Sequence, residues 1–208
     1  MLADGRQRSA SGALAGQQSL ALDLQSNLLI SQGHAALYEP ARLSRIFTAC
    51  TPVAGVAPGT VLSTTPPFTL YNPQQSGVQC AVLGAALGYI SGALGAGSIV
   101  LGCNPTPSMD LPTGGTELPT LCELIGNPRG VGRAYQGATL AAAPSILRPV
   151  WMVGAADGTT KTIENHVQRF DGLPLIAPGC SVSLQGIAGA GTTPLLLLSL
   201  TWEEVPLA

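Results

Sequence analysis

Two histidines, His34 and His166, are the only imidazoles in the chain, and they stand 132 positions apart. A histidine metal pair or a histidine-activated nucleophile would need tertiary structure alone to assemble it. Glu203-Glu204 is the one adjacent pair of carboxylates. Neighbouring residues of a strand point to opposite faces, so the two do not converge on one substrate as acid and base. One is expected in solvent and the other satisfied at an interface. Ser76 stands in Gln75-Ser76-Gly77-Val78 and lacks the G-x-S-x-G frame of a nucleophile elbow. Gly126-Asn-Pro-Arg-Gly-Val-Gly132 is glycine-rich but has neither the lysine nor the spacing of a phosphate loop, and reads as a turn. The cysteines, at 50, 80, 103, 122 and 180, are odd in number and form no C-x-x-C. That argues against a zinc site or a disulfide framework and for small buried hydrophobes in a reducing compartment. No catalytic residue, cofactor site or metal site is expected.

The elements that would position any such chemistry are unusual in charge. Ile46 to Met109 is a run of 64 residues without Asp, Glu, Lys or Arg. Soluble domains average about one charge in four residues. Charge keeps surfaces wet and edge strands unpaired, so a segment without it is expected in lipid or under cover. Ala81 to Cys103 is long enough to span a bilayer as a helix, and Gly84, Gly88 and Gly92 repeat at a small-xxx-small spacing. Six glycines in that span weaken a helix, and basic flanks are missing. Prolines stand on both sides, at Pro73, Pro105 and Pro107. The preferred reading is two strands, 79–87 and 98–102, joined by a Gly-rich turn, and no membrane partner. Net charge is −2, with a single lysine and no basic stripe, so nucleic acid is not an expected partner either. Arg6 and Arg8 are not followed by an apolar core of the signal-peptide kind, so no secretory signal is read.

Along the chain, residues 1–45 differ from the rest. They hold four of the eight arginines, and Gln17 to Ile30 alternates apolar residues as an extended arm would. From Phe47 onward, short apolar runs are cut by Gly/Pro turns. Phe68-Thr-Leu-Tyr71 is a strand stopped by Asn72-Pro73. Leu147 to Val153 is a strand whose proline places it near a sheet edge. Thr162 to Phe170 alternates as a strand, and Asp171 to Pro174 turns. Thr120 to Ile125 could form one helical turn. Cys180 to Gln185 and the apolar Leu195 to Trp202 fit the closing hairpin of a sandwich. The fold expected is all-β, an antiparallel jelly-roll-like sandwich over residues 46–208, with an N-terminal arm over 1–45.

Several blocks resemble a family of tailed-bacteriophage virion structural proteins with NPxxSG and TWEEVP blocks. They are Tyr71-Asn-Pro-Gln-Gln-Ser-Gly77, Gly33 to Glu39, Tyr89 to Gly97, Leu147-Arg-Pro149, Ala177-Pro-Gly179 and Thr201-Trp-Glu-Glu-Val-Pro206. They fall in the family's order and cover most of the chain. Where the family often has a basic residue after Gly77, this chain has Val78-Gln79. The resemblance implies a non-enzymatic capsid decoration or cement protein, a homotrimer on the virion surface made in the host cytoplasm. Its partners would be itself and the major capsid protein or other virion proteins. On that reading Arg6, Arg8, Arg42 and Arg45 suit an arm that orders on the shell. Tyr38, Phe47 and Tyr71 are the candidate aromatic anchors, with core packing as the alternative for each. The rival functions are a fibre, spike or tail-associated component, a host-surface carbohydrate-binding module, and a small membrane protein built on Ala81 to Cys103. A carbohydrate module wants exposed aromatics, whereas Trp151 and Trp202 sit in apolar strand patterns that look like core.

Overall fold

Alternation along the C-terminal apolar run sets the frame. Leu196, Leu198, Leu200 and Trp202 are at most 1% exposed, whereas Leu195, Leu197, Ser199 and Thr201 between them are partly exposed. Period two puts the first set in a core and the second on an outer face. Burial of each large core side chain is worth roughly 1.5–3 kcal/mol. The computed structural model describes residues 3–5, 18–20, 36–104, 112–153, 166–188 and 192–207.

Residues 1–39 form one compact unit and residues 40–208 another. In the first, β1 (Ala3–Gly5) pairs antiparallel with β2 (Gln18–Leu20). A five-residue helix, α1 (Tyr38–Arg42), follows. The second unit holds β3 (Ile46–Cys50), β4 (Phe68–Tyr71), β5 (Val78–Ala93) and β6 (Gly97–Asn104). Then come β7 (Thr116–Leu118), β8 (Thr120–Cys122), β9 (Arg133–Gln136) and β10 (Ser145–Val153). The chain closes with β11 (His166–Arg169), β12 (Leu175–Ile176), β13 (Ser181–Ala188) and β14 (Thr192–Pro206). The division between the two units falls at 39/40. Pro40 to Arg45 are tied to the sandwich, because Arg45 N–H donates to Pro40 O at 3.0 Å and Arg45 O accepts the Glu204 N–H at 2.8 Å.

The second unit is an antiparallel β-sandwich. Sheet I runs β11-β5-β14-β3-β8, with β12 also on β5, and sheet II runs β10-β6-β13-β4-β9-β7. The pairing is nested, β3 with β14, β4 with β13, β5 with β11 and β6 with β10. The chain is thus a long hairpin rolled into two sheets, with β7, β8 and β9 added at one side. The two strands read within 81–103 exist as β5 and β6, so the spanning helix is ruled out there. No helix among the described residues is long and apolar enough to cross a membrane.

Two readings are corrected. β13 and β14 do not form a hairpin, because they lie in opposite sheets and each already has neighbours on both edges. Thr120–Cys122 is strand β8 and not a helical turn, because it completes the edge of β3 through Phe47↔Cys122 and Ala49↔Thr120. The proline of β10 does stand on an edge strand, as read.

At its middle strand β13, sheet II is covered on both faces. Val182 and Leu184 enter the core, yet the intervening Ser181, Ser183 and Gln185 are also no more than 5% exposed. The β3–β4 loop lies over them. Gln185 Oε1 accepts the Ser63 N–H at 2.8 Å, and its Nε2 donates to Ser183 Oγ at 2.9 Å. Gly186 must be glycine, since a Cβ there would collide with the Gly59 carbonyl and stand 3.1 Å from Pro58 O.

Candidate functional site

The groups that could have done chemistry are instead tied into the fold. Glu204 lies at the end of β14, 7% exposed, on the inward parity of Leu200 and Trp202. Its Oε1 accepts the Gly132 N–H at 2.8 Å and the Trp202 Nε1–H at 3.4 Å, and its Oε2 accepts the Val131 N–H at 3.0 Å. The glycine-rich 126–132 loop therefore does cradle an anion, but the anion belongs to the chain itself. Glu203 is only partly buried, on the opposite face. The two carboxylates diverge as strand geometry requires.

His34 lies outside the described residues. His166 begins β11 and stacks on Trp151, with ring centroids 6.3 Å apart and an interplanar angle of 20°. Its buried Nε2 has no hydrogen-bond partner among the described residues. Ser76 Oγ donates to Val78 O and accepts the Val78 N–H, so its hydroxyl closes a turn. Burial pushes the Cys50 and Cys180 thiols up, and burial with the nearby Glu204 pushes Cys80 far above the ordinary thiol range. None of these three is an activated thiolate. Among the described residues no three His, Cys, Asp or Glu side chains gather as a metal site would require.

The interface candidates divide. Arg6 and Arg8 lie outside the described residues. Tyr38 and Arg42 are exposed on α1, and Arg45 is half-buried where the chain enters β3. Phe47 and Tyr71 are core residues, 4% and 3% exposed. Phe47 packs on Trp202 with ring centroids 6.2 Å apart, and Tyr71 clusters with Tyr135 and Ala138. Strand alternation sends Phe47 inward. Tyr71 sits on the outer side of sheet II, where β9 and the loop after it cover it. Neither is available to a partner in the folded subunit.

Among the described residues of the second unit, no element lies over the outer face of sheet I. Its hydrogen-bonded rows run Val167–Ala86–Ser199–Cys50 and Arg169–Gly84–Thr201–Thr48–Leu121. The alternate row, Gln168–Ala85–Leu200–Ala49–Thr120, is the one that turns toward the core. Between the edge strands the outer rows carry only small side chains, levelled further by the Thr48–Thr201 hydroxyl contact at 2.8 Å. Arg169 on β11 and Glu123 just after β8 stand at the lateral margins, and Glu203 stands on the central strand β14 beyond Thr201.

No family model, curated protein or solved structure matches the chain.

Sequence reasoning missed the Glu204 cradle, and the signal was present. A carboxylate two places beyond Trp202 on an inward parity demands donors, and the glycine-rich loop offers bare amides. It also missed Asn72 as a clamp. Asn72 is fully buried, and its Nδ2 donates to Val78 O at 2.8 Å and Ile176 O at 2.9 Å. It fixes the corner between β4 and β5 that Asn72-Pro73 marked only as a stop.

Proposed function

We propose that this chain is a non-enzymatic virion structural protein of a tailed bacteriophage. It would be a jelly-roll-like domain that decorates or cements the capsid as a homotrimer and contacts the major capsid protein or other virion proteins. The observation that carries the reading is the open face of sheet I. It is a small-residue strip across the inner strands of sheet I, in a sandwich whose other sheet is covered on both sides at its middle strand. Small side chains without charge between the edge strands suit shape-complementary contacts. The nested pairing of eight strands supports the jelly-roll description. The phage-like blocks support the virion setting. Tyr71–Gly77 forms the corner clamped by Asn72, and Thr201–Pro206 carries Trp202 and Glu204, so both fall on structural joints of the sandwich. Against a carbohydrate-binding module, Trp202 is fully buried and Trp151 is stacked on His166, which leaves neither as a sugar platform.

The test is made on particles. Mass spectrometry and cryo-electron microscopy of purified virions from the phage that encodes the chain should find it on the head in fixed stoichiometry. Particles stripped of it should rebind the full-length protein, and the Arg6→Ala/Arg8→Ala variant should rebind more weakly while keeping its sedimentation. Absence of the chain from purified virions would sink the proposal. Density on the tail would shift it to the tail-associated alternative.

A further inference from the structure

Among the described residues sheet I ends in two unpaired edges, and they differ. One is β8, where Leu121 is 64% exposed and is followed by Glu123, Leu124 and Ile125, the last 86% exposed. The other is β11, continued by β12 along the same side of β5. There Val167 is 68% exposed and is followed by Arg169, then by Leu173 and Leu175 at 57% and 53%. Soluble proteins guard such edges with lysine, proline or bulges. β8 reads Thr-Leu-Cys and has no guard of this kind within it. A bare edge carrying large apolar side chains is a template for another strand.

The charges say which strand. Glu123 stands two residues after Leu121, held by the Thr48 hydroxyl. Arg169 stands two residues after Val167 and makes no ion pair among the described residues, with Asp171 beyond it at the turn. Every pairing from β11 through β5, β14 and β3 to β8 is antiparallel, so β11 and β8 point the same way. When two copies meet side by side without inversion, β8 of one lies parallel to β11 of the next. Matched spacing then sets Leu121 by Val167 and Glu123 by Arg169. Like edges meeting about a two-fold axis run antiparallel, and with Leu121 on that axis Glu123 faces Pro119, so the contact gains no pairing of opposite charges.

We infer that sheet I continues from one copy of this chain to the next, β8 of each subunit docking on the β11–β12 edge of its neighbour. A contact between unlike surfaces is heterologous and closes into a ring when its rotation permits. This rests on the self-assembly part of the proposed function and names the surface that performs it.

The test uses full-length chains carrying Leu121→Asp or Val167→Asp. Both positions are exposed, so each variant should keep the wild-type circular dichroism and melting behaviour. By analytical ultracentrifugation each alone should associate at least tenfold more weakly than wild type. An equimolar mixture should form dimers and stop there, because each dimer uses the one intact edge of each variant. Glu123→Arg and Arg169→Glu should each weaken assembly about threefold or more, and the chain carrying both should recover it. Assembly unchanged in the aspartate variants, normal assembly of Val167→Asp alone, or no dimer in the mixture would each overturn the inference. If the wild type is a monomer at all concentrations, the self-assembly reading fails as well. If the wild type assembles and the variants do too, only the edge assignment fails.

Discussion

Replacing Glu204 with alanine removes the acceptor for two backbone amides at once. The Gly132 and Val131 N–H groups donate to it at 2.8 and 3.0 Å, and the Gly132 bond is buried. A hydrogen bond to a charged acceptor contributes roughly 1.5–3 kcal/mol, and an orphaned buried donor costs about 1–3 kcal/mol. Taking the low end for each of the two amides gives a loss of about 3 kcal/mol. In a domain of this size that lowers the melting temperature by roughly 6–12 °C. Gly130 supplies an independent handle on the same contact. A Cβ at Gly130 would stand 2.8 Å from the Glu204 carboxyl carbon and 2.9 Å from Phe47 Cδ2. The backbone of Gly130 is not in the left-handed region, so alanine there probes space and not strain. Gly130→Ala should push the carboxylate off its donors and destabilise by a comparable amount. The double variant should then lose less than the sum, with a coupling of about 1 kcal/mol or more. Thermal and denaturant unfolding of the four proteins measures this cycle. A loss below about 1 kcal/mol for Glu204→Ala, or strict additivity with Gly130→Ala, would refute the cradle as a stabilising joint.

Two further outcomes follow from the same contacts. Asn72→Leu keeps the volume of a fully buried side chain but removes the donor to Val78 O and Ile176 O. It should cost about 2 kcal/mol and raise amide exchange at Gly179, whose N–H donates to Asn72 O at 2.7 Å. For the thiols, Cys50 is exposed while Cys80 and Cys122 are buried. A water-soluble maleimide mapped by mass spectrometry should therefore modify Cys50 in the native protein and reach Cys80 and Cys122 only on unfolding. Because the Cys50 thiol is raised, its reaction should keep accelerating above the pH at which an unperturbed thiol levels off. Native labelling of Cys80 ahead of Cys50 would contradict the packing.

Local chemistry was legible in the sequence where one residue decides the outcome. Pro149 placed β10 at an edge because a proline gives no ladder donor. Asn72-Pro73 ended β4, and Asp171-Gly172 turned the chain with both residues at positive φ, 50° and 88°. Partner choice was not legible, because it is settled by which edges remain free. Ala188 and Thr192 are near in sequence, which suggests a hairpin. Yet β13 is flanked by β6 and β4, and β14 by β5 and β3, so neither has an edge to offer the other. The anchors went the same way. Aromatic type alone nominated Tyr38, Phe47 and Tyr71, and only the parity of β3 and the cover over sheet II separated the exposed tyrosine from the two buried rings. Glu204 needed two distant facts joined, its inward parity and a loop of bare amides 72 residues away.

The long charge-free run takes a different meaning from this topology. Residues 46–109 contribute β3, β4, β5 and β6, and each of these is an inner strand of its sheet. They also supply the β3–β4 loop that covers sheet II. Outside the run the edge strands carry Glu117 on β7, Arg148 on β10, Arg169 on β11 and Glu123 after β8, while of the inner strands β9 carries Arg133 and β14 carries Glu203 and Glu204 at its end. An inner strand has no free edge to guard, so it has little use for charge. Much of the cover that the run demands therefore comes from the subunit itself. What the subunit leaves uncovered is narrower, the Gly84–Ala86–Gly88 strip with the β14 and β3 residues beside it. If sheet I continues across copies through its edges, Glu123 and Arg169 meet at each seam and the uncharged strips lie between the seams.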